Sequence, residues 1–183
     1  RGAFWGGRDV CSFLKIPFTK FTIYVLNDIF KTRNVYRLLH ATNVSQRYLI
    51  QDLVLPKENL LSFLEFVDSR LNKYPLWICP LLSAKRDKLS PNYIPTSLSV
   101  NVGIYKEFGH DYSQFLQANR DIEEKVRELD GRKVLYAHAY YSKDEFWRIY
   151  DYTWYNILRE KYFADSVFPD VYEKTKVSEK YKP

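Results

Sequence analysis

Ser97-Leu98-Ser99-Val100-Asn101-Val102-Gly103-Ile104-Tyr105-Lys106 alternates strictly between apolar residues and small or polar ones. Side chains along a strand point to opposite faces in turn. Leu98, Val100, Val102 and Ile104 therefore share one face, and Ser99, Asn101 and Gly103 share the other. This is the clearest strand in the chain, and a sheet built on it has an apolar side for helices to cover.

Upstream, residues 47–55 (Arg-Tyr-Leu-Ile-Gln-Asp-Leu-Val-Leu) are rich in strand formers and stop at Pro56, which has no N–H for a ladder. Leu60, Leu61, Leu64, Val67 and Leu71 then fall at i, i+1, i+4, i+7 and i+11, one stripe of an amphipathic helix. Residues 76–82 (Leu-Trp-Ile-Cys-Pro-Leu-Leu) suit a strand interrupted by Pro80, and residues 83–95 a polar loop. Downstream, Phe115, Ala118, Ile122, Val126 and Leu129 mark a helix over residues 112–129, ended by Asp130-Gly131. Residues 133–141 read as a further strand. Ser142 followed by Glu145 is a capping box opening a helix through Phe146, Ile149 and Tyr150, and a last helical pattern spans residues 152–162. The order β-α-β, loop, β-α-β predicts an α+β fold: a ferredoxin-like βαββαβ antiparallel sheet with helices on one face, plus C-terminal helices. Residues 1–45 read as an arm or linker, residues 46–175 as the main domain and residues 176–183 as a tail. Within the arm, residues 20–30 leave helix and strand undecided, and Asn34, Val35, Leu38, Leu39 and Thr42 follow a short helical spacing.

The chain has 183 residues, of which 46% are hydrophobic and 17% aromatic, enough for a sizeable core and too many for a disordered chain. Two cysteines, Cys11 and Cys79, exclude a disulfide scaffold. No apolar run approaches the roughly 20 residues needed to cross a bilayer. The net charge of +6 arises from scattered lysines and arginines interrupted by acids, as in residues 121–128, which read as a solvated helix face with Glu123–Arg127 at i,i+4. No nucleic-acid motif accompanies the charge. There is no Gly-rich phosphate loop, no set of ligands at metal spacing and no nucleophile with its base, and His40, His110 and His138 lie far apart. The chain lacks Met and opens on Arg1, so it is expected to be a piece of something longer.

Tyr48-Leu-Ile-Gln-Asp-Leu-Val-Leu-Pro56, Tyr74-Pro-Leu-Trp-Ile-Cys-Pro80, Val102-Gly-Ile-Tyr105, Leu135-Tyr-Ala-His-Ala-Tyr-Tyr-Ser-Lys-Asp-Glu-Phe-Trp-Arg-Ile-Tyr-Asp151 and Phe168-Pro-Asp-Val-Tyr172 occur in that order. Together, and loosely with Phe4-Trp5, they resemble the C-terminal part of the Delta(24)-sterol reductases, the 24-dehydrocholesterol reductase and plant Diminuto flavoproteins. The resemblance implies an FAD enzyme of the vanillyl-alcohol-oxidase type, whose N-terminal domain holds the flavin and whose C-terminal cap covers it and shapes the substrate site. It implies NADPH as hydride donor, a sterol or similar lipid as substrate, and reduction of a double bond in the substrate's aliphatic tail at the cytosolic side of the endoplasmic reticulum membrane. The present sequence would then be the cap, partnered by a missing FAD domain, by itself soluble, colourless and inactive. In that family Gly and Pro follow the Tyr of the Val102 block; Lys106 and Phe108 stand here instead, so this turn is expected to differ.

A sterol site needs apolar and aromatic walls with few polar groups, for which Trp77, Tyr136, Phe146 and Trp147 are substrate-binding candidates. If residues 133–141 form a strand, Tyr136, His138 and Tyr140 share a large, polar-tipped face and Leu135, Ala137 and Ala139 a small one. Tyr105, Tyr140 and His138 are the chemically able proton donors and hence the catalytic candidates. Gln51 and Asp52 are adjacent on a strand and point to opposite faces; either contacts cofactor or cap backbone, or is wetted at a sheet edge. A reading from another class also fits: a stand-alone ferredoxin-like module that binds a lipid or a protein without catalysis.

Overall fold

A computed structural model describes residues 17, 19–26, 48–82, 93–109 and 111–177. The chain divides into two compact units, Arg1–Ser45 and Gln46–Pro183. In the first, helix α1 (Lys20–Leu26) starts from a reciprocal threonine cap. The Thr22 N–H donates to Thr19 Oγ1 at 3.2 Å, and the Thr19 N–H donates to Thr22 Oγ1 at 2.8 Å. This satisfies donors that a helix start leaves without partners, and helix is thus the outcome for residues 20–26 of the stretch where sequence left helix and strand open, residues 27–30 lying outside the described residues. Phe4-Trp5, Cys11, the helical spacing at residues 34–42, His40, residues 83–92 of the predicted loop, His110 and residues 178–183 lie outside the described residues.

The second unit is α+β. Strand β1 (Tyr48–Pro56) leads through a 3-10 turn (Lys57–Asn59) into helix α2 (Leu60–Phe66), which continues as a π turn (Val67–Leu71). Strands β2 (Leu76–Leu82) and β3 (Leu98–Glu107) follow, then helix α3 (Tyr112–Glu128), the short strand β4 (Arg132–Lys133), and helices α4 (Lys143–Ile149), α5 (Tyr152–Lys161) and α6 (Val171–Thr175). The sheet order is β2-β3-β1-β4 and every pairing is antiparallel. Pro80 sits within β2 without interrupting it, because β2 is an edge strand and its proline needs no donor toward solvent.

Alternation decides what each face does. Leu49, Leu53 and Leu55 of β1 and Val100, Val102 and Ile104 of β3 are buried against Phe63, Val67 and Leu71 of α2 and Ala118, Ile122 and Val126 of α3. Each Leu, Val, Ile or Phe among them stabilises the fold by roughly 1.5–3 kcal/mol when its side chain is fully buried. The stripe of α2 differs from expectation: Leu61 is 66% exposed and Phe63 is fully buried. The helix presents the row Phe63, Val67, Leu71, and its wider π turn keeps a four-residue spacing on one face that a regular helix of 3.6 residues per turn would rotate away. Asn72, at φ 46°, ends it. After α3, Asp130 takes the left-handed position (φ 56°). Gly131 then passes so close to Val54 O and Leu55 Cδ2 that a Cβ would lie 2.7 Å from each. β3 runs on through Lys106 and Glu107, and the backbone turns at Gly109 with φ 131°. The capping box of α4 is present with both its hydrogen bonds. Ala139, Tyr141, Phe146 and Tyr172 form a second, smaller core beneath the C-terminal helices.

Two expectations need correction. Residues 133–141 are not a strand. Pairing stops at Lys133, opposite Leu53, and the backbone turns over residues 135–137 before Ala139 makes a lone parallel bridge to Lys176. Across the turn the buried Lys133 ammonium donates to the His138 carbonyl, and beyond it the Ala139 N–H donates to Thr175 O at 2.8 Å and the Val177 N–H to Ala139 O at 3.0 Å, which takes Ala139 out of the sheet. The acidic run on α3 is not wholly solvated either. Glu123 is fully buried and pairs with Lys133 at 2.8 Å, whereas Arg127 lies 3.8 Å from Glu124.

Candidate functional site

With α2 and α3 on one side of the sheet, the other side carries Ile50 and Asp52 from β1, Trp77 from β2, and Asn101, Gly103 and Tyr105 from β3. The pairing puts Asp52, Gly103 and Trp77 in one row across three strands. Val54 and Ser99, toward the Pro56 end, are buried; Trp77 is 65% and Tyr105 47% exposed.

The row is built around the missing side chain of Gly103. A Cβ there would lie 2.5 Å from Tyr105 Cε2 and 2.8 Å from Asp52 Oδ1, so glycine leaves the space into which the Tyr105 ring leans. That lean brings the Tyr105 hydroxyl to Asp52 Oδ2 at 2.6 Å. Tyr136, on the turn after β4, donates to the same oxygen at 2.7 Å, and the two phenol oxygens are themselves 2.7 Å apart. Asn101 donates its amide to Asp52 Oδ1 at 2.9 Å. One carboxylate thus gathers two phenols and an amide, and hydrogen bonds to a charged acceptor are the stronger kind. The Tyr136 hydroxyl is held well above the usual tyrosine range, first by burial, then by its bonds to Tyr105 and Asp52, so it retains its proton. Chemically the cluster is a negatively charged acceptor sheathed in neutral O–H groups, flanked by aromatic surface, on the side of the sheet opposite α2 and α3.

Asp52, Trp77, Tyr105 and Tyr136 are therefore brought together. The other candidates lie elsewhere. Gln51, one residue from Asp52, points into the core, where it is fully buried and donates to Asn119 Oδ1 at 2.5 Å. Tyr140 lies edge-on to Phe115 of α3 with the Lys133 ammonium 5.3 Å from its ring centre, and burial raises its hydroxyl above the usual range. It shares no face with Tyr136. The His138 carbonyl is the acceptor for Lys133, and the imidazole is half-buried. Phe146 is fully buried in the second core, with Trp147 edge-on to it at 5.0 Å. Asn101 and Gly103 are site residues that the sequence reading placed on the right face without assigning them a part; their shared alternation with Tyr105 was the available signal.

The Delta(24)-sterol reductase of Homo sapiens is 31% identical over 130 residues, covering 70% of this chain and 25% of that protein. The Delta(24)-sterol reductase homolog of Caenorhabditis elegans is 25% identical over 95% of this chain and 34% of its own length. The Arabidopsis thaliana enzyme is 26% identical over 81% of this chain and 28% of its own length. The chain thus spans about a quarter to a third of the length of these curated relatives. No protein-family profile and no solved structure matches it. Matched in animals and plants alike over most of its residues, the chain is a homologue of part of the Delta(24)-sterol reductases.

Proposed function

We propose that this chain is the substrate-side cap of an FAD-dependent reductase that saturates a double bond in the aliphatic tail of a sterol or similar lipid, with NADPH as hydride source. The observation that carries the reading is the Asp52–Tyr105–Tyr136 cluster, set in aromatic surface on the side of the sheet that no described helix of the core covers. A flat conjugated ring with a polar edge suits such a surface, since Trp77 and Tyr105 offer ring faces and Tyr136 and Asn101 offer hydrogen bonds. The FAD phosphates have no Gly-rich cradle in the sequence, so the flavin would be held mainly by another domain. Bound flavin would supply a hydride; the second hydrogen must arrive as a proton. Tyr105 is the residue proposed to hold that proton at its hydroxyl, with Asp52 and Tyr136 orienting it. Trp77 and the Tyr136 ring would press on the apolar ligand and exclude water.

Tyr140 and His138 are the remaining proton-donor candidates and Trp147 and Phe146 the remaining wall candidates; Tyr140 packs on Phe115 of α3, Phe146 and Trp147 lie in the second core, and Tyr105, bonded to Asp52, is the first choice. No helix among the described residues is long and apolar enough to cross a membrane; action at the cytosolic side of the endoplasmic reticulum membrane is part of the same proposal. The test uses the protein that carries this sequence: flavin absorbance, then NADPH-dependent reduction of a sterol with an unsaturated tail. Tyr105→Phe should lower kcat by about 10²–10⁴-fold, the range for loss of a general acid, at unchanged flavin content. A protein without flavin, or full turnover in Tyr105→Phe, refutes the proposal.

A further inference from the structure

The turn that carries Tyr136 is gripped from beneath by a buried ion pair. Lys133, the last residue of β4, and Glu123, in the middle of α3, are both fully buried, with Nζ and Oε1 2.8 Å apart. The Lys133 ammonium also donates to the His138 carbonyl, and Glu123 Oε1 also accepts the Tyr140 N–H at 2.9 Å. Arg120 completes the frame by donating to the Tyr140 carbonyl at 3.0 Å. On the other flank, the Val134 N–H donates to the Asp52 carbonyl at 2.8 Å and the Tyr150 hydroxyl to the Lys133 carbonyl at 3.2 Å. Residues 134–140 thus form a loop whose two ends are tied to one charged pair, with Tyr136 at its crest over Asp52.

Burial is unfavourable for both charges: it raises the Glu123 carboxyl and lowers the Lys133 ammonium from their ordinary ranges, opposed by their mutual attraction and hydrogen bond and, at Glu123, by the Tyr140 N–H and the Arg120 guanidinium 3.7 Å away. Packing alone would be as well served by two aliphatic side chains. What aliphatic side chains lack is direction, for an ammonium has three donors and a carboxylate several acceptor sites, here aimed at His138 O and Tyr140 N. We infer that the Glu123–Lys133 pair is a positioning device that holds the residue 134–140 loop so that the Tyr136 hydroxyl stays on Asp52 and Tyr105. Neither residue touches the open side of the sheet; each acts through the loop.

The experiment places 3-fluorotyrosine at position 136 and reads its ¹⁹F resonance and hydroxyl titration in the parent, in Asp52→Asn and in the double variant Glu123→Leu/Lys133→Met. The double variant removes both charges at once, so no unpaired ion is left inside. Its fluorine resonance is expected to move toward the Asp52→Asn position, and its hydroxyl to titrate at lower pH than in the parent. A folded double variant with parent resonance and titration overturns the inference. If that variant does not fold, Glu123→Gln/Lys133→Met carries the same readout with the same two outcomes, because its amide oxygen still serves Tyr140 while His138 O is released. The turnover arm rests on the proposed reductase reading: kcat should fall by about 10–100-fold, as misplacement of a positioned group does, with little change in KM. A displaced resonance with unchanged turnover sustains the positioning and counts against the reductase role of Tyr136, so the two ideas fail separately.

Discussion

Replacing Gly103 by alanine is expected to dismantle the candidate site while leaving the fold standing. The new methyl group would sit 2.5 Å from Tyr105 Cε2 and 2.8 Å from Asp52 Oδ1, well inside any tolerable contact. Both obstacles are ends of side chains, and the Tyr105 ring is 47% exposed, so it can swing into water. The hydrogen bond that is lost goes to a charged group, a class worth about 1.5–3 kcal/mol, with water as a ready substitute at this half-exposed place. Alanine in place of glycine in a strand returns about 0.5–1 kcal/mol. The net cost is about 1 kcal/mol, a fall in Tm of about 2–4 °C for a domain of this size. Gly131→Ala is the control, because its methyl group would meet Val54 O and Leu55 Cδ2 at 2.7 Å and Val126 Cγ1 at 2.9 Å, a carbonyl and two core side chains that cannot step aside. Overpacking of that kind costs about 1–3 kcal/mol, here toward the upper end. Urea unfolding followed by circular dichroism measures both variants, and ¹⁹F spectra of 3-fluorotyrosine at position 105 report the site. If Gly103→Ala leaves the Tyr105 resonance where it was, or destabilises the fold more than Gly131→Ala does, the account of the glycine is wrong.

Phe63→Ala should cost about 3–5 kcal/mol, since Phe63 is fully buried between α2 and the sheet, and the urea midpoint should fall at unchanged slope; a loss below about 1 kcal/mol would mean the helix does not pack as described. Glu145 provides a pH test. Its carboxyl is lowered from 4.5 to about 2, first by the Arg120 guanidinium and then by the Ser142 N–H. A depressed folded value means the stabilisation is complete above pH 4.5 and is lost as pH falls toward 2. Glu145→Gln should therefore lower stability at neutral pH and flatten the acid decline across that window, read as unfolding midpoints against pH. Parallel acid declines in the two proteins would show that Glu145 contributes nothing to them.

Much of the fold was legible locally. Residues 97–106 announce their two faces because strand alternation is a property of the backbone itself, and the faces found are those expected. The α3 helix and the capping box of α4 were legible for the same reason, since their signals lie within a few residues of each other. The site was half legible. Tyr105 and Asp52 could be named from strand position and chemistry, and Gln51 and Asp52 could be assigned to opposite faces, but not which of them faced in.

Sequence by itself determined the α+β class, the apolar face of β3 and the helices meant to cover it, because periodicity and capping are short-range and each residue carries its own preference. The tertiary structure alone decided that Gln51 turns inward to Asn119, that Glu123 leaves water for Lys133, and that the segment after β4 folds into a turn rather than a strand. Each of those outcomes depends on a partner ten or more residues away or on a buried charge finding its counterion, and neither distance nor burial is written in any local pattern. Tyr136 meets Asp52 across 84 positions for that reason: the turn delivers it there, and the turn exists only in the packed molecule.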